Sequence, residues 1–563
     1  MEKPIKAFIT EITFNDGEKL TINQNDIVLF VGPNNVGKSQ SLNDIYTKCG
    51  SSQASTVVIK SIQAEKQEGS LLSLLSQVTV GTDNGKYWNY TVNRTNYSYN
   101  KQTGDQDFLN SDCYGQYKDL FVSHLTTEAR LSTCRPASNI NRNEPKTHPI
   151  HYAAFDYKYL KWLSESFHKA FEQDLNPNIT YGASIPLCIG PTPILEKNYT
   201  NEIERQADLA KILESYKQVQ NQGDGIKSFT GILLNLMLDY YCTHLIDEPE
   251  SFLHPPQARI MGQIIGNSLK NDQQAFISTH SEDIVKGLLD VCEERLKIIR
   301  ITRKDDTNSF SILDNDKIKE VFADPLLKYS NIMSSLFHKT VVLCESDSDC
   351  KLYSIVENHL KQSEGKYSET LFIHCGGKQR MAKTAEALLA LNIDVRLIPD
   401  IDVLNDETII ERISKVFGLD WASVKTDYNI FVSGLHSQKE KIQRNAAKAE
   451  IDNVLNGSLN NELSKNEIKR IQDAVKVISK WDGIKHGGKQ VIPNGEATRA
   501  FNNLNNILRE HKIYLVPVGE LEGFVKEVSG HGPEWVNDVL EKYPDISDDV
   551  YKTVREFIGG IGL

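Results

Sequence analysis

Two groups of residues in this chain have types and spacings that can do chemistry. Gly32-Pro33-Asn34-Asn35-Val36-Gly37-Lys38-Ser39 is a complete G-x-x-x-x-G-K-[ST]. Its glycines let the backbone turn tightly, so that successive N–H groups and a helix N-terminus point at phosphate oxygens. Lys38 can reach the β- and γ-phosphates of a nucleotide, and the Ser39 hydroxyl can take a place on Mg²⁺. Farther on, Leu245-Ile246 runs into Asp247-Glu248-Pro249-Glu250. Asp247 is then placed to hold the Mg²⁺ shell through water, and Glu248 to orient or polarise an attacking water. Thr279-His280-Ser281 closes another apolar run, where His280 can sense a γ-phosphate. The nucleotide contacts expected are Asn34, Asn35, Gly37, Lys38, Ser39, Gln40, Asp247 and His280.

The second group is acidic. Glu345-Ser346-Asp347-Ser348-Asp349 follows one apolar run, and Asp400-Ile401-Asp402 follows another. A glutamate after one strand and an Asp-x-Asp after a second can converge on divalent metal, and hard oxygen ligands suit Mg²⁺ or Mn²⁺. Two such ions a few ångströms apart activate a water and stabilise the leaving oxygen of a phosphodiester. Trp481–Lys489 adds Lys485, His486 and Lys489 beside glycines, and Lys485 can stabilise charge on the scissile phosphate. Gly519-Glu520-Leu521-Glu522 ends a later apolar run, so Glu520 or Glu522 can complete a second metal position. The ligand set expected is Glu345, Asp349, Asp400, Asp402 and Glu522, with Glu248, Glu345, Asp400, Asp402 and Lys485 as catalytic groups.

Elements must hold these residues in place. Ile27–Val31 reads as a buried strand feeding the phosphate loop, and Gln40–Tyr46 as a helix leaving it. Ile5–Ile12 and Lys19–Ile22 read as a hairpin across Asn15-Asp16-Gly17. Thr56–Ile62, Tyr87–Val92 and Leu120–Val122 add strands. Thr126–Leu131 follows the last of them, with Arg130 either facing the nucleotide or making a surface salt bridge. Between 151 and 220 the pattern turns helical over Tyr157–Phe171 and Asn201–Val219, an insertion read either as a dimerising arm or as a solvated helical pair. Gln222–Ser228 then opens an apolar helix, Phe229–Tyr241. This glycine-rich turn, with Gly223, Gly225, Lys227 and Ser228, can present N–H groups to a phosphate held by a second subunit.

From about Lys339 the pattern is strand, helix, strand, helix, strand: Thr340–Cys344, a helix to Leu360, Leu371–Cys375, Met381–Leu391 and Val395–Pro399. That is a parallel α/β order with acids at the strand ends, where sites in such sheets lie. Helices fill 405–500, including a basic stretch with Lys439, Lys441, Arg444 and Lys448 that is either a DNA-backbone contact or a solvated face. Ile513–Val518 returns to strand. The expected division is 1–150 and 221–335 for the nucleotide domain, 151–220 for its insertion, and 336–563 for the metal domain.

Taken together, the phosphate loop, glycine-rich turn, Asp-Glu strand and His280 stand in an order that resembles the ABC-type ATPase heads of SMC and RecF-like proteins. That likeness implies ATP hydrolysis by paired heads, the signature turn of one closing the site of the other. The second half resembles the TOPRIM fold, whose pattern is Glu-Gly-x-x-Asp followed by Asp-x-Asp. Glu345, Asp349, Asp400 and Asp402 match it, with Ser346 where the glycine usually stands. VGPNNVGKS, LIDEPESFLHP, STHS, VVLCESDSD, IPDID and VPVGELE together resemble the OLD (overcoming lysogenization defect) family across essentially the whole chain.

The family resemblance implies an ATP-dependent, metal-dependent DNA endonuclease in bacterial anti-phage defence. It also implies a homodimer or higher homo-oligomer formed through the ATPase parts. Some relatives act with a second protein, helicase-like or a retron reverse transcriptase with its DNA. A RecF-like DNA-clamping ATPase with a non-cutting TOPRIM part is the alternative. A topoisomerase-like strand passer would need a tyrosine-bearing domain, and none is evident among the 22 tyrosines.

Composition sets outer bounds. With 563 residues, 39% hydrophobic and 25% charged, the chain is that of an ordinary globular protein of several domains. No apolar run approaches the roughly 20 residues of a membrane span, and MEKPIKAFIT lacks a signal-peptide core, so a cytoplasmic protein without membrane contact is expected. Nine cysteines form no C-x-x-C pair, which argues against a zinc or disulfide framework. A net charge of −12 excludes a surface basic all over but not a local basic groove.

Overall fold

The computed structural model describes residues 3–79, 81–92, 95–142, 144, 146–195, 199, 201–305, 307–313, 332–436, 444–457, 462–475 and 480–563. Chain contacts separate two units, Met1–Lys328 and Tyr329–Leu563.

The first unit is built on a six-stranded sheet in the order Thr307–Ile312, Leu296–Lys304, Ile27–Val31, Gln274–Ser278, Thr243–Asp247, Val122–Leu125. All neighbours are parallel except the Thr307–Ile312 edge, which pairs antiparallel with Leu296–Lys304. Ile27–Val31 and Gln274–Ser278 are buried at every position, as the central strands of a parallel sheet covered on both faces must be. Their parallel alignment brings the segments after Val31, Asp247 and Ser278 to one end of the sheet.

A three-stranded antiparallel sheet, Lys19–Thr21, Ala7–Phe14 and Ile59–Lys66, shares its core with the large sheet and the phosphate-loop helix. Ile9, Ile12, Phe14, Phe30, Leu42, Ile45 and Phe276 meet there, and Phe14 stacks on Phe310 at 4.2 Å between ring centroids. Gln274 stitches the sheets together: its amide nitrogen donates to the carbonyls of Ile9 (2.7 Å) and Asn23 (2.9 Å), and its oxygen accepts from Ile9 N–H at 3.0 Å. Phe276 is fully buried in this core. Phe276→Ala is expected to cost about 3–5 kcal/mol, seen as a lower urea midpoint, because lost transfer energy and a cavity add.

The stretch expected to be a helical insertion is mixed. Pro149–Phe155, Tyr157–Phe171 and Glu202–Glu214 are helices, but Leu175–Pro177, Leu187–Ile189 and Lys217–Gln218 form a small antiparallel sheet between them. Strands of two or three residues are too short to show a period of two.

The second unit carries a parallel sheet in the order Thr370–His374, Thr340–Cys344, Asp394–Ile398. The expected strand Ile513–Val518 is reduced to one bridge, Ile513 to Leu397. The segment still runs alongside: Leu397 N–H donates to Lys512 at 3.0 Å, Tyr514 to Leu397 at 2.8 Å and Val516 to Pro399 at 3.2 Å. Pro399 and Pro517 have no N–H to extend the ladder, which stops it there. The insertion contributes the helices Lys425–His436, Arg444–Asn456, Lys465–Val475, Lys480–Gly487 and Glu496–Glu510, in keeping with the helices expected over 405–500. Lys439 and Lys441 lie outside the described residues. Among the described residues, no helix is long and apolar enough to cross a membrane.

Candidate nucleotide and metal sites

The phosphate loop begins where Ile27–Val31 ends. Gly32 has φ +145°, and a Cβ there would lie 2.1 Å from the Ile301 carbonyl oxygen of the neighbouring strand, so only glycine fits. The helix Lys38–Gly50 follows from Gly37, itself at φ +95°. Lys38 is buried and its ammonium donates to the carbonyls of Gly32 (2.9 Å) and Pro33 (2.7 Å). Burial pulls that ammonium below its ordinary range, with Glu248, Glu250 and Asp247 pulling back.

The loop opens on a cleft of about 870 Å³ lined by Asn34, Asn35, Gly37, Lys38, Ser39, Gln40 and Glu248 together with Asn15, Asp16, Val57, Val58, Arg303, Thr307 and Asn308. Asp44, on the phosphate-loop helix, fixes the lining residues Val57 and Val58 by accepting N–H bonds from Val57, Val58 and Ile59 at 3.0, 2.6 and 3.1 Å.

Glu248 follows the Thr243–Asp247 strand in a left-handed conformation (φ +45°), an arrangement that costs of order 1–3 kcal/mol and persists only where the surroundings enforce it. Its N–H donates to Ser278 O at 2.9 Å, and Asp247 accepts from the Ser278 hydroxyl. His280 Nδ1 lies 3.5 Å from Glu248 Oε1 and 3.3 Å from Glu250 Oε1. That contact holds the Glu248 carboxyl below its usual range, against the upward pull of partial burial, and raises His280 above its own. Glu250 accepts from Thr279 Oγ at 2.8 Å and from His280 N–H at 2.9 Å, while burial pushes its carboxyl up.

Lys38, Ser39 and Glu248 therefore face one cleft, with Asp247 and His280 bonded around its acidic end. The glycine-turn residues divide: Gly223 and Asp224 are exposed at the start of the helix Asp224–Leu236, and Lys227 pairs with Asp224 at 2.7 Å. Ser228 points inward instead, fully buried, its hydroxyl without a hydrogen-bond partner among the described residues. Arg130 neither faces the cleft nor makes a surface salt bridge. It is fully buried behind the Asp247-Glu248 peptides, whose carbonyls accept from its guanidinium.

In the second unit, Glu345, Asp400 and Asp402 offer carboxylate oxygens all within 4.8 Å of one another. They come from the ends of Thr340–Cys344 and Asp394–Ile398, neighbours in the parallel sheet. Burial pushes Asp400 well above the usual carboxylate range, with Asp349, Glu345 and Asp402 adding to it. Glu345 is raised too, first by burial and then by Asp402. Like charges this close cannot all ionise without a cation among them. Glu345 Oε2 is also buried with no hydrogen-bond partner among the described residues, so it has a lone pair to give. These donors fit a hard divalent cation.

Asp349 and Glu522 lie outside that trio. Asp349 accepts from Ser346 N–H at 2.8 Å in a capping box that starts the helix Asp347–Ser363. Burial pushes its carboxyl up to about 6 against the Ser346 bonds, with Glu522 adding. Ser346→Ala should destabilise the unit by about 1 kcal/mol, measured by chemical denaturation. Glu522 accepts from Gly532 N–H at 2.9 Å. Glu520 is taken by His486 (2.5 Å) and Lys485 (3.7 Å).

Lys485 reaches the acidic group: against the lowering effect of its burial, Asp402, Glu520, Asp400 and Glu345 hold its ammonium above the ordinary range. Gly519 seats it, since a Cβ there would lie 2.0 Å from the Lys485 carbonyl. Lys378, at the start of the helix Lys378–Ala390, bonds Asp402 at 3.2 Å. The Gly-Gly-Lys at a strand end was the available sign of it.

No protein-family model matches the chain. Old nuclease of Escherichia phage P2 is 23% identical over 322 residues, 55% of this chain and 48% of that protein. The chain is related to Old nuclease. The uncharacterized protein MJECL11 of Methanocaldococcus jannaschii is 35% identical over 71 residues, 12% of this chain and 60% of its own length. The matched stretches thus span about half of Old nuclease and three-fifths of MJECL11.

Among solved structures, an Smc head bound to the C-terminal winged-helix domain of ScpA aligns at TM-score 0.32 and 12% identity, covering 56% of this chain and 100% of that one. The SMC head domain of Thermotoga maritima aligns at 0.28 and 11%, covering 55% and 100%. Three roles were not assigned from sequence patterns: Arg130 as a buried brace, Glu250 as the second partner of His280, and Asn308, whose amide donates to Val36 O at 2.9 Å. None sits in a spacing rule; each is defined by packing across strands.

Proposed function

We propose that this chain is an ATP-hydrolysing, Mg²⁺- or Mn²⁺-dependent DNA endonuclease of the OLD type, acting in the bacterial cytoplasm in defence against phage. The observation that carries the nuclease part is the Glu345, Asp400 and Asp402 group with its orphaned buried oxygen, in a chain related to Old nuclease. In this reading 336–563 is a TOPRIM domain. The ATPase consists of 1–150 and 221–335, carries the 151–220 insertion, and pairs with a second copy through that part.

At the nucleotide, Lys38 gives up its loop carbonyls for β- and γ-phosphate oxygens, and Ser39 faces the magnesium position. Glu248, aligned by His280, accepts the proton of the attacking water. At the second centre Glu345, Asp400 and Asp402 would hold the cation, and Asp349 and Glu522 would be the ligands offered to a second one. Bound divalent metal supplies Lewis-acid activation of water and of the scissile phosphate. Lys485 places a positive charge beside that phosphate. The nucleotide state of the ATPase part gates cleavage.

The test is incubation of supercoiled plasmid with wild-type protein and Mg²⁺ or Mn²⁺, with and without EDTA, beside Lys38→Ala. Cutting that EDTA abolishes and Lys38→Ala alters supports the reading. ATP turnover on DNA with the plasmid left intact under both ions overturns it in favour of a DNA-clamping ATPase.

A further inference from the structure

Arg130 belongs to the helix Thr127–Thr133, which leaves the edge strand Val122–Leu125 from an N-cap at Thr126. A fully buried guanidinium requires partners, and this one has an unusual set. One terminal nitrogen donates to the carbonyls of both Asp247 and Glu248, the latter at 3.2 Å, and the other donates to Thr127 Oγ at 3.1 Å. Among the described residues no carboxylate binds it. Its Nε is buried without a partner among the described residues, and so is Glu250 Oε2. The cation thus supports the backbone of the Asp-Glu pair and leaves the carboxylate of Glu248 free to turn toward His280.

The same short helix touches the helix of the glycine turn. A Cβ on Gly231 would lie 2.3 Å from the Arg130 carbonyl oxygen, and Cys134 Sγ donates to Lys227 O at 3.0 Å. Gly231 sits on Asp224–Leu236, whose N-terminus carries Gly223 and Gly225. One residue therefore bridges two parts: its main chain lies against the glycine-turn helix, and its side chain against the left-handed peptide of Glu248.

We propose that Arg130 is a positioning residue for ATP hydrolysis, holding Glu248 in its working orientation and tying that orientation to the helix that begins at Gly223. The inference rests on the ATPase reading above. Arg130 touches neither the cleft nor the phosphate loop, so its removal affects the turnover step and spares nucleotide binding. An ångström of misplacement in a reacting group is enough to cost about 100-fold.

The experiment compares wild type, Arg130→Gln, Arg130→Lys and Gly231→Ala in the full chain, measuring kcat, KM, the affinity for a fluorescent ATP analogue, and the melting temperature. Arg130→Gln is expected to lower kcat by about 10- to 100-fold with nucleotide affinity within about twofold. Arg130→Lys, which retains a donor for one carbonyl, should recover part of that loss. Gly231→Ala, which pushes on Arg130 from the far side and alters no polar group, should lower kcat in the same manner.

A folded Arg130→Gln with wild-type kcat overturns the inference while leaving the ATPase reading intact. Nucleotide affinity falling in step with melting temperature in all three variants also overturns it, since that is the mark of a merely structural arginine. A wild-type protein that binds ATP and never hydrolyses it takes down the ATPase reading and the inference together.

Discussion

Glu345→Ala should leave supercoiled plasmid uncut where the wild type cuts, a loss on the order of 10²- to 10³-fold or more, the scale reached when one preorganised electrostatic group is removed from a site. Among the described residues, Glu345 belongs to a trio of carboxylates within 4.8 Å of one another and is the one of the three with a buried, unpartnered oxygen. Alanine removes that donor without disturbing Asp400 or Asp402. Mn²⁺ binding followed by calorimetry should weaken in parallel. ATP turnover should stay within about twofold, because no group of the nucleotide cleft is altered. In EDTA the variant should melt no lower than wild type, since burial and the neighbouring Asp402 already disfavour the Glu345 charge. Retained cutting with lost Mn²⁺ affinity would move the chemistry away from this trio.

The other large effect belongs to Glu248→Gln. A positioned general base contributes about 10²- to 10⁴-fold, and glutamine keeps the shape while losing the proton acceptor. The left-handed peptide and its bonds to Ser278 do not depend on the side-chain charge, so the cleft should still fill with ATP. Phosphate release should fall across that range while the affinity for a fluorescent ATP analogue is kept. Turnover within threefold of wild type would remove Glu248 from the role of base.

Much of this was readable from the chain alone where chemistry is tied to a strand end. Ile27–Val31 and Thr340–Cys344 occur as expected because continuous apolar runs bounded by glycine or acid have few alternatives to a buried parallel strand. The loop at Lys38 and the Glu345, Asp400, Asp402 cluster follow from that placement. What resisted reading is set by packing across elements. Arg130 looks like any basic residue after a turn, and only the backs of the Asp247 and Glu248 peptides explain it. Ser228 lies one turn beyond Gly225 and yet faces the core, because a helix turns about 100° per residue and its inner face begins there. Glu520 and Glu522 have equal claims in the sequence; contacts with Lys485, His486 and Gly532 assign them different work.

The segment beside Leu397 bears on how the second unit is made. Leu397 finds Ile513 only across the whole helical insertion, whereas the three strands of its sheet lie close together in the chain. Local contacts form early and distant ones late, since closing a long loop costs entropy before any bond rewards it. On a ribosome, the strands bearing Glu345, Asp400 and Asp402 are synthesised well before Lys485, Glu520 and Gly519 emerge. A nascent chain therefore holds the carboxylates with Lys378 alone beside them, and Lys485 joins the acidic group only after the helical insertion has been made.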